Sequence, residues 1–241
     1  MQHMVTREQP PVALVTGASR GLGLALTTAL VHRGWHVIVD ARDGVGLAAA
    51  VEALPDPSAV TAVAGSVVDV EHRAAMAAVV DELGRLDLLV SNASVVGPSP
   101  LPLLTDHPLP ALLEVFEVNA LAPIALLQLV LPSLRARAGR VVHVSSDAAV
   151  ETYERWGAYG AAKAALDRAS AVLAVENPDL CIYSVDPGEM NTELHRLATP
   201  DDDLTGLPHP SAVVGSLLRL VDGDLPSGRY IAAEIAPVGA R

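Results

Sequence analysis

Tyr159 and Lys163 stand four residues apart in Tyr159-Gly160-Ala161-Ala162-Lys163. On a helix that spacing puts both side chains on one face. The chain has 16 basic residues, and Lys163 is the only lysine among them. A composition that uses guanidinium everywhere else marks this position as one where a compact ammonium is needed. A free phenol ionises near pH ~10. An ammonium ~4 Å away, at an effective dielectric of ~20, favours the phenolate by up to ~4 kcal/mol before desolvation opposes it. That would bring Tyr159 toward neutral pH, where a phenol exchanges a proton with an alcohol or ketone oxygen. Ser146 follows the apolar run Val141–Val144 and precedes Tyr159. A hydroxyl at the C-terminal end of a strand faces the crevice where open α/β sheets bind ligands, and it suits a hydrogen bond to a substrate carbonyl. Ser145 competes for that role.

A second constellation lies near the N-terminus. Thr16-Gly17-Ala18-Ser19-Arg20-Gly21-Leu22-Gly23 follows the first apolar run. Glycines there permit a tight turn and close approach of a diphosphate. The helix that starts at the turn offers free N–H groups and the positive end of its dipole. The spacing is G-x-x-x-G-x-G, not G-x-G-x-x-G. The residue that reads the adenosine ribose is expected ~20 positions later, where Val39-Asp40-Ala41-Arg42 ends the second strand. Arg20 and Arg42 together suit the 2′-phosphate of NADP(H) through charge-assisted hydrogen bonds. Asp40 is the rival, since a carboxylate can bind a free ribose diol and favour NAD(H). Strand alternation puts Asp40 and Arg42 on one nominal face and does not choose between them. The two arginines make NADP(H) the favoured cofactor.

The elements that must hold these residues read as alternating strands and helices. Strands are expected at Val12–Thr16, Trp35–Asp40, Val60–Ala64, Leu86–Ser91, Arg140–Ser145, Leu180–Val185 and Tyr230–Ala233. Helices are expected at Leu22–His32, Leu47–Leu54, Glu71–Leu83, Leu109–Leu134 (long and kinked), Ala158–Val175 and Ser211–Val221. Near-continuous apolar strands alternating with helices signal a parallel sheet covered on both faces. Thr199–Pro210, with Asp201-Asp202-Asp203 and two prolines, is the least regular segment, either a solvated loop or part of a lid.

Taken together, the motifs resemble the short-chain dehydrogenase/reductase superfamily over about Pro11 to Ala233. The matching pieces are TGASRGLG at 16–23, Asn92-Ala93 in VSNAS, Asn119 in EVNAL, Ser146, YGAAK at 159–163, and Asp186-Pro187-Gly188 with Thr192. The resemblance implies a single Rossmann-like doubly wound parallel sheet of about seven strands flanked by helices. It implies reversible reduction of a ketone or other carbonyl by hydride transfer from NADPH. Tyr159 is then the general acid/base, Lys163 binds the nicotinamide ribose and lowers the tyrosine pKa, and Ser146 orients the carbonyl. Asn119 holds a relay water through a local helix irregularity. Asn92 and Ala93 stabilise the central sheet near the cofactor, and Pro187, Gly188 and Thr192 border the carboxamide. Three departures stand out. Ser94 replaces the glycine of Asn-Asn-Ala-Gly. Ser66 replaces the aspartate that contacts adenine, weakening that contact or moving it to the Val67 backbone. The chain after Pro187 is short, which suggests a small lid at about 189–210.

Substrate-lining candidates are Ser94, Val95, Tyr153, Trp156, Met190 and His195; Tyr153 and Trp156 equally suit packing against a lid or another subunit. His143, inside a strand, reads as a satisfied core histidine. The net charge of −12 argues against nucleic acid or an anionic membrane as the main partner. Ala120–Leu134 is interrupted by Pro123, Gln128 and Pro132 and makes a poor membrane span. Cys181 is the only cysteine, and its apolar neighbours Leu180, Ile182 and Val185 suggest a buried strand thiol with no intramolecular disulfide partner. No His/Cys/carboxylate cluster has metal-ligand spacing. The expectation is a cytoplasmic protein with residues 1–10 as a flexible arm and 11–241 as one domain. It acts on a small-molecule carbonyl or alcohol. Apolar helices at 109–134 and 158–175, with the family's habit of pairing them, suggest a homodimer or homotetramer. The alternatives are an NADP(H)-binding sensor or scaffold that kept the fold without the chemistry, and a dehydratase or epimerase of the same fold.

Overall fold

The computed structural model describes residues 9–235. The expected arm at 1–10 therefore falls almost wholly outside the described residues. The strands are β1 (Val12–Val15), β2 (His36–Ala41), β3 (Val60–Ala64), β4 (Leu88–Ser91), β5 (Arg140–Val144), β6 (Cys181–Asp186) and β7 (Gly228–Ile231). The helices are α1 (Gly21–His32), α2 (Gly44–Glu52), α3 (Val70–Leu83), α4 (Leu109–Phe116), α5 (Ala122–Arg135), α6 (Gly157–Glu176), α7 (Glu193–Ala198) and α8 (Val214–Asp222).

The seven strands form one sheet in the order β3-β2-β1-β4-β5-β6-β7, and every pairing is parallel. Side chains alternate across it. Ala13 and Val15 join one buried layer with Leu22, Leu26 and Leu30 of α1 and Leu217 and Leu220 of α8. Val12 and Leu14 join the other, with Met76 and Val80 of α3 and Leu126, Leu127 and Val130 of α5. Each fully buried leucine or valine of this kind contributes about 1.5–3 kcal/mol of transfer free energy. Two covered faces explain why the central strands read as unbroken apolar runs. The strand order reverses between β1 and β4, so the loops after these strands part there and open a crevice.

The helix expected at Leu109–Leu134 is split. Between α4 and α5, Glu117–Leu121 forms a π-turn. Pro123 lacks the N–H that an α-helix would give to the Asn119 carbonyl, and the ladder widens there. By length and composition Leu109–Arg135 is apolar enough to cross a membrane, but half of its most apolar window is buried within the protein. The short α7 was not expected from the sequence. The last strand starts earlier than expected, and Ala232–Glu234 is a 3-10 turn rather than strand. Cys181 is only partly buried.

Candidate active site

A cleft of about 680 Å³ runs along the C-terminal ends of the strands. At one end lies the glycine turn. Gly17 and Gly21 adopt left-handed φ of +66° and +59°. A Cβ on Gly17 would come within 2.8 Å of the Ala93 Cα. Gly23 serves a different purpose: a Cβ there would meet the Gly17 carbonyl at 2.5 Å and the Asn92 amide at 2.6 Å. Gly23 thus packs behind the turn and does not line the cleft, contrary to its expected place among the cofactor contacts. No side chain caps the start of α1, which leaves its first N–H groups for an anion.

Asn92 braces this turn by donating to the carbonyls of Thr16 and Gly17 at 2.9 and 3.0 Å. The Thr16 hydroxyl oxygen accepts from the N–H groups of Asn92 and Ala93. Asp40, 1% exposed, accepts from the Gly17 N–H at 2.7 Å, and its other oxygen lies 3.1 Å from His72 Nε2. Both carboxylate oxygens are therefore engaged inside the protein, whereas Arg42 is left largely exposed on the same strand end. Arg42 lies 3.9 Å from Glu114 across the cleft mouth. Arg20, Ser19, Leu22, Ser66, Val67 and Ala93 line the same end.

Tyr159 and Lys163 are buried in α6 at the other end, 7% and 2% exposed. The Lys163 Nζ donates to the Val144 carbonyl at 2.7 Å and sits 5.5 Å from the centre of the Tyr159 ring. Trp156 meets Tyr159 edge to face at 5.5 Å. Burial pushes Lys163 down to about 8, opposed by the carboxylate of Asp167. The expected acidification of Tyr159 is not seen among the protein's own groups. Burial instead pushes the phenol up to about 12, with Asp147 and Asp186 adding to it and the Ser94 and Ser146 hydroxyls opposing it. The physical reason is that Lys163 points its charge at a carbonyl while the phenol loses water.

Ser146 lies at the end of β5 and caps a 3-10 turn at Asp147–Ala149. Ser145, its rival, is 2% exposed and its hydroxyl has no partner among the described residues. Pro187, Gly188, Thr192, Met190 and His195 line the cleft from the opposite side, and Gly188 takes φ +74° while donating to Asp186. Thr192 caps α7 through the His195 N–H. Ser94, Val95, Tyr153 and Trp156 complete this end.

Asn119 does not line the cleft. It is 1% exposed, and its amide is spent on Val95, accepting from the N–H at 2.9 Å and donating to the carbonyl at 2.7 Å. Its side chain pins the 94–95 loop rather than facing solvent. His143 also departs from expectation: it is wholly buried and neither ring nitrogen has a partner among the described residues. Burial and the charge of Lys163 push it down to about 4. Unforeseen wall residues include Asp147, Glu189, Glu193 and Leu194. Adjacency to Ser146 was the available signal for Asp147; the others depend on how the lid segment folds.

The chain matches the short chain dehydrogenase family model over residues 11–203 and belongs to that family. It is 33% identical to a benzil reductase ((S)-benzoin forming) of Saccharomyces cerevisiae, over 77% of this chain and 73% of the relative. It is 33% identical to a 1-deoxy-11-beta-hydroxypentalenate dehydrogenase of Streptomyces avermitilis, over 82% of this chain and 75% of the relative. A Shigella flexneri chain described as a short chain dehydrogenase complexed with NADP superposes with a TM-score of 0.85 at 26% identity, covering 92% of this chain and 97% of that one. The protein is thus an oxidoreductase of a family that binds nicotinamide dinucleotides.

Proposed function

We propose that this protein is an NADP(H)-dependent reductase that converts a ketone or other carbonyl to the alcohol, reversibly. One observation carries the reading: a buried phenol and a buried ammonium share the cleft that ends in the glycine turn. When bound, NADPH supplies the hydride. The chain's residues do the rest. Uncapped N–H groups of α1 and the open backbone at Gly21 fit a diphosphate, and Gly17 lets the turn close on Ala93. Ser66 and Val67 border the adenine, Asn92 and Ala93 hold the central turn, and Pro187, Gly188 and Thr192 border the carboxamide. Arg20 and Arg42 would face the 2′-phosphate, and Asp40, 1% exposed and tied to Gly17 and His72, is poorly presented to a ribose diol. This favours NADP(H) over NAD(H).

Tyr159 holds its proton through the neutral range, the form needed to donate to a carbonyl oxygen. Ser146 helps orient that oxygen, and the Lys163 ammonium lies beside the ribose and phenol. Asn119 acts indirectly, by fixing Val95 and Ser94. The segment 189–210, with α7 in it, is the substrate lid. Leu109, Leu113, Leu121 and Leu129 leave an apolar, exposed face on the α4–α5 region, which supports pairing of two chains.

The test is Tyr159→Phe. NADPH binding, read by nucleotide fluorescence, is expected within about threefold of wild type, while turnover falls by about 10²–10⁴-fold, the usual worth of general acid catalysis. Full turnover in that variant removes the mechanism. Intact NADPH binding by the wild type with no turnover of any carbonyl points instead to a sensor or scaffold.

A further inference from the structure

Two cations meet the end of strand β5. The Val144 carbonyl accepts from the Lys163 Nζ at 2.7 Å, and the Ser146 carbonyl, two residues on, accepts from Nη2 of Arg229 at 3.0 Å. The Ala149 N–H donates to the same Ser146 carbonyl at 3.1 Å. Arg229 belongs to β7 and pairs in register with Ser184 of β6. Its Nε donates to Asp167 Oδ2 at 3.0 Å, and its Nη2 lies 3.6 Å from Asp186 Oδ2. The other oxygen of Asp186 accepts from the Gly188 N–H at 2.9 Å.

These contacts close a ring. Asp167 follows Lys163 by four residues in α6, so the two share a helix face. The path runs from Val144 to Lys163, along one turn of α6 to Asp167, across to Arg229, and back to β5 at Ser146. The Asp167 and Asp186 side chains are largely withdrawn from water, so solvent screens their charges little. The second oxygen of Asp167 is buried and has no partner among the described residues, which leaves Arg229 as the group that answers its charge. A guanidinium can reach three acceptors in different directions through one planar fork; an ammonium acts as a point charge. The ring holds Lys163 and also Ser146, whose hydroxyl is hydrogen-bonded to the Tyr159 phenol.

Three titratable groups act on or stand beside the Lys163 ammonium: Tyr159 and Asp167 on its own helix, and His143 from β5. Burial keeps the His143 imidazole neutral and the phenol protonated around pH 8. The charge that supports the ammonium is therefore that of Asp167, and Arg229 shares it.

Resting on the reductase reading above, we propose that Arg229 is a positioning residue for the reaction. Its guanidinium fastens the strand end that carries Ser146 to the helix that carries Tyr159 and Lys163. It also takes up part of the Asp167 charge that Lys163 would otherwise face alone.

The solitary lysine makes the charge relation directly measurable. Protein grown on lysine labelled with ¹³C at Cε carries one such signal, because Lys163 is the only lysine in the chain. Its shift against pH, without nucleotide, is expected to show a midpoint near 8 in wild type. Arg229→Met removes both charge and donors, and Arg229→Gln keeps a donor without the charge. An unshared carboxylate favours the ammonium, so both variants are expected to move the midpoint up by about 0.5 pH unit or more. In parallel, kcat for NADPH-dependent reduction of acetophenone is expected to fall at least about tenfold in Arg229→Met, the cost of a misplaced Ser146. KM and NADPH affinity should stay within about threefold of wild type, and Arg229→Gln should recover part of kcat. A merely structural arginine would lower stability and leave the midpoint where it was. Midpoints within about 0.2 pH unit of wild type in the variants that fold overturn the proposal, as does an undiminished kcat in Arg229→Met. Should wild type consume no ketone, the reductase reading fails separately, and the lysine titration alone judges Arg229.

Discussion

Replacing Arg42 by alanine separates the two nicotinamide dinucleotides. A guanidinium bonded to a phosphate is a charge-assisted contact worth about 1.5–3 kcal/mol. The Arg42 side chain is 62% exposed, so water and salt screen it and the lower end of the range applies. A loss of about 1.5 kcal/mol corresponds to an NADPH Kd about tenfold weaker. The pair with Glu114 offsets little of this, because an ion pair of two exposed groups at 3.9 Å contributes about 0–1 kcal/mol. NADH has no 2′-phosphate, so its Kd is expected to change by less than about twofold. Arg20 remains, so NADPH binding weakens without vanishing. Titration of nucleotide fluorescence at low and physiological salt is the assay, and the wild-type preference for NADPH should narrow as salt rises. Equal weakening of both dinucleotides, or no change in NADPH, refutes the assignment of Arg42 to the phosphate.

Carbonyl reduction needs the charged form of Lys163, which burial pushes from 10.5 to about 8. The kcat/KM for reduction is therefore expected to fall above about pH 8, since that parameter reports ionisation of the free enzyme. Asp167→Asn removes the charge that holds Lys163 up and moves the descending limb to lower pH; a profile flat to pH 10 contradicts this role. His143 is pushed from 6.5 to about 4 by burial and the Lys163 charge. The unfolded chain takes up the proton first, so stability is full above pH 6.5 and declines as pH falls toward 4, by about 3 kcal/mol in all. Urea denaturation at several pH values checks it: His143→Leu should show a smaller loss across that window, and an identical loss in both proteins removes the buried neutral imidazole from the account.

The parallel sheet was legible because both of its faces are covered, which writes β1, β2, β4 and β5 as continuous apolar runs. The glycine turn and the Tyr159–Lys163 pair were legible because their chemistry depends on residue type and short spacing. What depended on long-range contacts was not legible. Strand periodicity could not rank Asp40 against Arg42; the contact that bears on it is with His72, 32 residues away in sequence and hydrogen-bonded to Asp40. The side chain of Asn119 was given to water, but Val95, 24 residues earlier, takes both its amide groups. The π-turn had a cue in Pro123, although the size of the disturbance did not follow from it. Six residues of α7 are too few to show a helical period, and Thr192 as its cap was the only local hint. The Tyr159 phenol was expected to be acidified by its neighbour, yet the direction of the ammonium, toward Val144, is set by strand β5 and not by the helix that carries both residues.

The solitary lysine has a practical consequence for proteolysis. A protease that cuts only after lysine finds one peptide bond among the described residues, in the seventh position of helix α6, with its side chain turned inward on a strand carbonyl. Cleavage there requires the central helix to unwind. The rate at which the chain separates into pieces ending at 163 and beginning at 164 thus reports how often the middle of the molecule opens. Any compound that occupies the cleft of the folded form should lengthen that time by one plus the ratio of its free concentration to its Kd, giving a readout of binding that needs neither colour nor catalysis.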